Sequence, residues 1–235
     1  MSSDQHIASV FDRDLETIQA QIMKMGGLVE EAILEAAISL ETRDEERAEA
    51  VRKADKKIDA LEETINEEAA RVIALRAPIA VDLRLILSVI KISANLERIG
   101  DYAKNMAKRT GVLAQLSPVS DSAGALRRMA REVERMLKDA LDAYVNRDAE
   151  LAQDVIDRDM EVDQMYNALF REFLTFMMED PRNITACMHL HFIAKNVERM
   201  GDHVTSIAEQ TVYLVTGVHA DENRTKADTT SVQPL

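Results

Sequence analysis

Apolar residues recur at three- and four-residue steps through most of the chain, which is the spacing of one face of an α-helix. The first such stretch runs from about Asp4 to Glu41. Its apolar positions are Ile18, Ile22, Met25, Val29, Ile33, Ala36 and Leu40. Short polar or proline-containing segments interrupt the pattern at residues 42–44, near 78, at 117–118, at 146–148 and at 180–181. The pattern therefore predicts six long helices joined by short turns.

Two of the predicted turns carry recognisable helix-start signals. Pro78 is expected in the first turn of the third helix, where its missing N–H is harmless. Ser120 or Asp121 is expected to cap the fourth helix. The third helix is expected to end near Leu116 and the sixth to run from about Arg182 to Val215.

The chain contains an internal repeat of three helices. Residues of the first two helices recur 104 positions later, as with Met25 and Met129, and the third helices match with a shift of 101. The clearest match is Asn95-Leu-Glu-Arg-Ile-Gly-Asp against Asn196-Val-Glu-Arg-Met-Gly-Asp. Antiparallel helices with short connections bury their apolar stripes against each other. The repeat predicts an all-α fold of two three-helix bundles related by pseudo-twofold symmetry, spanning residues 1–116 and 120–217, followed by a disordered polar tail at 218–235.

Composition supports helices and narrows the class of protein. Proline and glycine are scarce, at 4 and 7 residues, and aromatic residues make up only 4% of the chain. A formal net charge of −13 argues against nucleic-acid binding, which needs a basic surface. The single cysteine, Cys187, excludes an intramolecular disulfide and a cysteine-rich zinc site. No signal peptide or membrane-spanning segment is visible, so the chain is expected in the cytoplasm.

Pairs of carboxylates four residues apart form the main candidate site. Such spacing places both side chains on one face of a helix. Each half of the repeat has one pair on its second helix and one on its third. The eight residues are Asp55, Asp59, Glu97, Asp101, Asp159, Asp163, Glu198 and Asp202. Carboxylate oxygens are the ligands of hard and borderline divalent or trivalent cations, so the clusters are predicted to hold a metal ion.

Two alternatives to a metal ion remain open at this point. The carboxylates are either solvated surface pairs or are neutralised by the neighbouring Arg98 and Arg199. No histidine lies at a ligand spacing in both halves, which argues against a zinc enzyme site. Gly100 and Gly201 lie inside helices, where each costs about 1 kcal/mol relative to alanine. Their repetition indicates a close approach of a neighbouring group beside the acidic motif.

The two motifs beginning at Asn95 and Asn196 resemble the paired signature of the PhoU family, bacterial regulators of phosphate transport and signalling. The segment from Arg76 to Arg84, Arg-Ala-Pro-Ile-Ala-Val-Asp-Leu-Arg, is also similar to the family pattern. The corresponding segment of the second half, Asp180-Pro-Arg-Asn-Ile-Thr, departs from it. Apart from the tail, the likeness covers nearly the whole chain.

The resemblance implies a non-enzymatic adaptor. Family members are thought to link the ATPase subunit of a phosphate ABC transporter to a membrane sensor histidine kinase, and to repress the phosphate-starvation response. The resemblance also implies a homodimer that reaches the membrane only through its partners. The same eight carboxylates would be ligands of iron, zinc, magnesium or manganese.

Two other functions compete with the adaptor. A ferritin-like carboxylate oxidase would need a Glu-x-x-His pair on facing helices, and the sequence has none. The other alternative is a carboxylate-rich helical protein that only binds metal, or whose acids are solvated and purely structural.

Overall fold

A computed structural model describes residues 3–119 and 121–218, and the side chains from Arg13 onward. It contains six α-helices and one short 3₁₀ turn, and the described residues form no strand. The elements are α1 (Ser3–Thr42), α2 (Glu45–Arg76), α3 (Val81–Ala114), α4 (Ser122–Asn146), α5 (Ala149–Glu179), a 3₁₀ turn (Pro181–Asn183) and α6 (Ile184–Thr216). The predicted all-α fold of six long helices is confirmed.

The helices form two bundles of three, as the repeat predicts. Helices α1, α2 and α3 pack against one another, and so do α4, α5 and α6. Helices α3 and α6 join the bundles, and α1 also packs against α4. Helix α3 runs antiparallel to α6, because Arg84 contacts Tyr213 near one end and Arg109 contacts His189 near the other.

The apolar stripes supply a continuous core. Every predicted position of the α1 stripe from Ile18 to Leu40 is buried. The corresponding stripe of α4 is buried as well, from Leu126 to Tyr144. Helices α3 and α6 are each buried along much of their length, because they face both their own bundle and the other one. Their central position places the third helix of each repeat, with its acidic motif, at the middle of the molecule.

The first turn of each bundle has the same construction. Arg43 and Arg147 adopt left-handed backbone conformations, with φ of 57° and 53°. The next residue then caps the following helix: Asp44 accepts a hydrogen bond from the Arg47 amide, and Asp148 accepts from the Glu150 and Leu151 amides. The repeated turn fixes how the second helix of each bundle leaves the first.

One predicted helix start and one suggested helix cap differ from the structure. Pro78 lies in the connection between α2 and α3, and α3 begins only at Val81, because Ala77 and Ala80 adopt positive φ angles. Asp121 precedes α4, but its side chain makes no capping hydrogen bond there. Ser120 and the predicted tail, from 219 onward, lie outside the described residues. The exact boundaries of the two repeats stay a prediction.

Candidate functional site

The first acidic cluster consists of Asp55 and Asp59 on α2 and of Glu97 and Asp101 on α3. Asp55 is buried, Glu97 and Asp101 are partly buried, and Asp59 is exposed. The charges of Asp55 and Asp101 both act on Asp59, and the charge of Asp101 also acts on Glu97. The structure therefore brings together the four carboxylates that the sequence assigns to the first half.

A lysine ammonium lies among these carboxylates. Lys104 Nζ is 2.5 Å from Asp55 Oδ2 and 3.1 Å from Asp101 Oδ1. Lys104 therefore ties α2 to α3 through the acidic motif. Arg98, one of the two arginines considered from the sequence, lies farther away, 3.6 Å from Glu97 and 4.0 Å from Asp101, and is mostly exposed. The main counter-ion of the cluster is thus Lys104, which the sequence analysis missed.

The protonation behaviour of the cluster follows from this arrangement. Partial loss of hydration, followed by the charge of Asp55, raises the pKa of Asp59 above its usual range although this side chain is largely exposed. Partial burial and the charge of Asp101 raise the pKa of Glu97 in the same way. The hydrogen bond to Asp55 raises the pKa of Lys104, so the lysine stays charged at physiological pH.

The second acidic cluster consists of Asp159 and Asp163 on α5 and of Glu198 and Asp202 on α6. It is buried more deeply than the first, because Asp159, Asp163 and Glu198 are each at most 5% exposed. The Thr205 hydroxyl donates to Asp159 Oδ1 over 3.1 Å. Carboxylates buried to this extent are stable only with hydrogen-bonding or charged partners.

Lys195 supplies a positive charge to the second cluster. Its Nζ is 2.8 Å from Glu198 Oε1 and lies 4.9 Å from the centre of the Tyr166 ring on α5. On α5, Asp163 lies between Asp159, which contacts Thr205 of α6, and Tyr166, which contacts Lys195 of α6. The register defined by these two contacts places Asp163 opposite Glu198. The second cluster therefore also has a lysine from the third helix of its own bundle. Arg199, the other arginine considered from the sequence, is exposed.

The two lysines are not repeat counterparts of each other. With the shift of 101 residues, Lys104 corresponds to Thr205, and Lys195 corresponds to Ala94. Lys104 follows its acidic motif by three residues, whereas Lys195 precedes its motif by three. The carboxylates are thus repeated in both halves, but the cations that accompany them are placed differently.

The arrangement of the oxygens bears directly on a metal ion. Across the described part of the chain, no three Asp, Glu, His or Cys side chains converge as the ligands of one metal ion would. In the first cluster, the oxygens of Asp55 and Asp101 converge on the Lys104 ammonium instead. The residues as placed here therefore do not fit a metal ion, and the eight-residue ligand set stays a prediction.

Gly100 and Gly201 lie where side chains of the second helix of each bundle approach closely. A Cβ on Gly100 would lie 3.0 Å from Ile58 Cδ1 and 3.8 Å from Asp55 Oδ1. A Cβ on Gly201 would lie 3.3 Å from Asp159 Oδ1. The glycines let the second helix of each bundle bring its buried aspartate close to the third helix.

The histidines near the motifs have other partners. His203 donates from Nδ1 to Asn95 Oδ1 over 2.8 Å, and its ring lies 5.7 Å from that of Tyr102. Tyr102 and His203 are repeat counterparts, so this contact lies where the two bundles meet. His191 lies among the rings of Tyr166, Phe170 and Phe192.

A weak signal for the lysines was present in the sequence. Both lie three residues from an acidic motif residue on the same helix, a spacing that allows an ion pair. The contact from Lys104 to Asp55 on another helix depends on how α2 and α3 pack, which the spacing does not show.

The helices were also compared with the length and hydropathy of a membrane span. Within the described part of the chain, no helix has the apolar length that crossing a bilayer requires.

Comparison with known proteins identifies the family. The family model described as PhoU domain matches residues 22–110 and 126–211. The chain is 44% identical to the "Phosphate-specific transport system accessory protein PhoU homolog" of Caulobacter vibrioides, over 97% of this chain and 99% of that protein. It is also 44% identical to the protein of the same name from Rhizobium meliloti, over 97% of each chain.

Solved structures agree with the sequence comparison. The crystal structure of PhoU from Pseudomonas aeruginosa superposes with a TM-score of 0.85 and 40% identity, over 88% of this chain and all of that one. The phosphate transport system regulatory protein PhoU from Streptococcus pneumoniae superposes with a TM-score of 0.81 and 30% identity, over 90% of this chain and 99% of that one. The two matched domains, the near-complete coverage and the shared fold show that this chain belongs to the PhoU family.

Proposed function

We propose that this protein is a non-enzymatic cytoplasmic regulator of phosphate uptake and phosphate-starvation signalling. The observation that carries the proposal is the match, over almost the full length of both chains, to proteins named as accessory to the phosphate-specific transport system. In this proposal the protein binds the ATPase subunit of the phosphate ABC transporter and the sensor histidine kinase. Through these two contacts it represses the phosphate regulon when phosphate is abundant.

The residues that could serve catalysis are engaged in other ways, which supports a binding role. Cys187 is fully buried, and burial raises the pKa of its thiol, so it is a poor nucleophile. His189 accepts a hydrogen bond from Arg109, and His203 donates one to Asn95. The buried carboxylates Asp55 and Asp159 hold α2 to α3 and α5 to α6.

The architecture suits a protein that contacts two partners. The two bundles are joined through α3 and α6, and each bundle has its own outer face. The proposal includes a homodimer, and membrane contact only through the transporter and the kinase. Helical frames of this kind present extended surfaces for binding other proteins.

Direct binding measurements test the proposal. The purified chain is immobilised and exposed to the purified transporter ATPase subunit, and separately to the cytoplasmic part of the sensor kinase. We expect saturable binding to each partner, and none to the ATPase subunit of an unrelated ABC transporter, which serves as the control. The adaptor role would be refuted if the chain failed to bind one or both partners under all three conditions, namely with ATP, with ADP and without nucleotide.

A further inference from the structure

Lys104 occupies a position that has no counterpart in the other bundle. The carboxylates of the first acidic cluster recur in the second, yet the residue at the position of Lys104 there is Thr205. The neutral Thr205 hydroxyl donates a hydrogen bond to Asp159, whereas the positively charged Lys104 ammonium forms an ion pair with Asp55. The residue at this one position of the third helix therefore contacts the buried aspartate through a hydroxyl in one bundle and through an ammonium in the other.

The contacts of Lys104 are those of a central cation. Its ammonium lies within 3.1 Å of oxygens from two helices, Asp55 on α2 and Asp101 on α3. Asp55 is only 4% exposed, so its charge requires a nearby positive charge to be tolerated. Lys104 provides this charge from a side chain that is itself part of the fold.

We propose that the Lys104 ammonium is the built-in cation of the first acidic cluster and fills the place that a divalent metal ion would otherwise take. A metal ion that binds Asp55 Oδ2 and Asp101 Oδ1 would have to displace the ammonium, because both would use the same two oxygens. Asp55 Oδ1 has no hydrogen-bond partner among the described residues, and Oδ2 contacts Lys104. Removal of the lysine would therefore leave both oxygens of Asp55 available to a cation.

Removal of the positive charge should convert the first cluster into a cation site. In K104Q the carboxylates of Asp55, Asp59 and Asp101 keep their places on α2 and α3 but lose their ammonium. Mn²⁺ is the probe, with the free ion counted by electron paramagnetic resonance. We expect K104Q to bind one Mn²⁺ more per chain than the wild-type protein, or to bind Mn²⁺ at least about tenfold more tightly.

Two variants show whether the gain belongs to this cluster. K108Q removes the same charge one turn farther along α3, from an exposed lysine, and is expected to bind Mn²⁺ like the wild-type protein. Adding D55N to K104Q is expected to abolish the gain. The melting temperature of K104Q should rise with Mn²⁺ more than that of K108Q. A folded K104Q that binds no more Mn²⁺ than K108Q overturns the proposal.

A second measurement does not depend on whether K104Q folds. Asp101 is partly exposed, so D101N is expected to keep the fold while removing one carboxylate from the cluster. If Lys104 excludes metal ions from the first cluster, D101N binds as many Mn²⁺ ions as the wild-type protein, with unchanged affinity. A loss of Mn²⁺ binding in D101N shows that a metal ion binds there beside Lys104, and it overturns the proposal.

Discussion

Gly27 and Gly100 both lie inside long helices, but their surroundings differ. Gly27 is exposed on α1, and a Cβ added there would meet no other atom within 4 Å. Gly100 is buried on α3, where an added Cβ would lie 3.0 Å from Ile58 Cδ1. One glycine therefore only weakens its helix, whereas the other allows α2 and α3 to pack closely beside the first acidic cluster.

Alanine at these two positions should change stability in opposite directions. G27A is expected to raise the free energy of unfolding by about 1 kcal/mol, because alanine is the better helix former. G100A is expected to lower it by about 1 kcal/mol, since crowding of Ile58 exceeds the gain in helix propensity. Urea unfolding followed by circular dichroism measures both. Equal stabilisation in the two variants would show that Gly100 is not needed for close packing.

His191 gives the protein a predictable response to acid. Burial, followed by the nearby charge of Lys195, lowers the pKa of this histidine. At pH values between the pKa of His191 in the folded state and its pKa in the unfolded state, the unfolded chain binds more protons than the folded chain. The free energy of unfolding therefore falls as the pH drops through about 6.5 and below. His189 and His203 contribute in the same direction, since burial also lowers their pKa values.

Replacement of His191 by phenylalanine should weaken this response. H191F keeps an aromatic ring against Tyr166 and Phe170 but removes the titrating group. We expect the free energy of unfolding to decline less between pH 7.5 and pH 5 than in the wild-type protein. Urea titrations at several pH values provide the measurement. An unchanged decline would mean that His191 keeps its ordinary pKa in the folded chain.

At the scale of the helices, the repeated aspartate caps set where α2 and α5 begin. D148A removes two hydrogen bonds to free amides at the start of α5 and is expected to cost about 1 kcal/mol of stability. D121A is the matched control, because Asp121 precedes α4 without a capping hydrogen bond and pairs with the exposed Arg128. Thermal unfolding distinguishes them, and an equal loss in both variants would argue against the cap.

The number and type of helices could be read from the sequence because the apolar period is strong and the breaks are few. The start of α3 could not, since its position depends on the positive φ angles of Ala77 and Ala80, which alanine rarely adopts. Pro78 indicated the break correctly, but it did not indicate that two more residues, Ile79 and Ala80, would precede the start of α3 at Val81. Periodicity locates helices better than it locates their ends.

The positions of the carboxylates in the acidic clusters could likewise be predicted from residue spacing, whereas their contacts with cations depend on how the helices pack. The spacing of Asp55 and Asp59 places them on one helix, and the repeat pairs them with Glu97 and Asp101. The contact between Lys104 and Asp55 depends on the register between α2 and α3, which no local pattern contains. A metal ion was therefore the natural prediction, while the structure places an ammonium at that point.

At the scale of the whole molecule, the pseudo-twofold repeat yields two bundles that share a fold but differ in detail. The bundles meet along α3 and α6, where repeat counterparts Tyr102 and His203 lie against each other. The two acidic clusters differ in depth of burial and in the source of their cation. The two bundles are therefore alike in fold but differ in the chemistry of their acidic clusters.

A deletion strain tests whether this protein regulates the response to phosphate. The gene is deleted in its host bacterium, and transcription of a phosphate-starvation gene is measured in abundant phosphate, with and without the gene restored. We expect high transcription in the deletion strain and repression after the gene is restored. Transcription that stays repressed in the deletion strain, at the level of the parent strain, would contradict it.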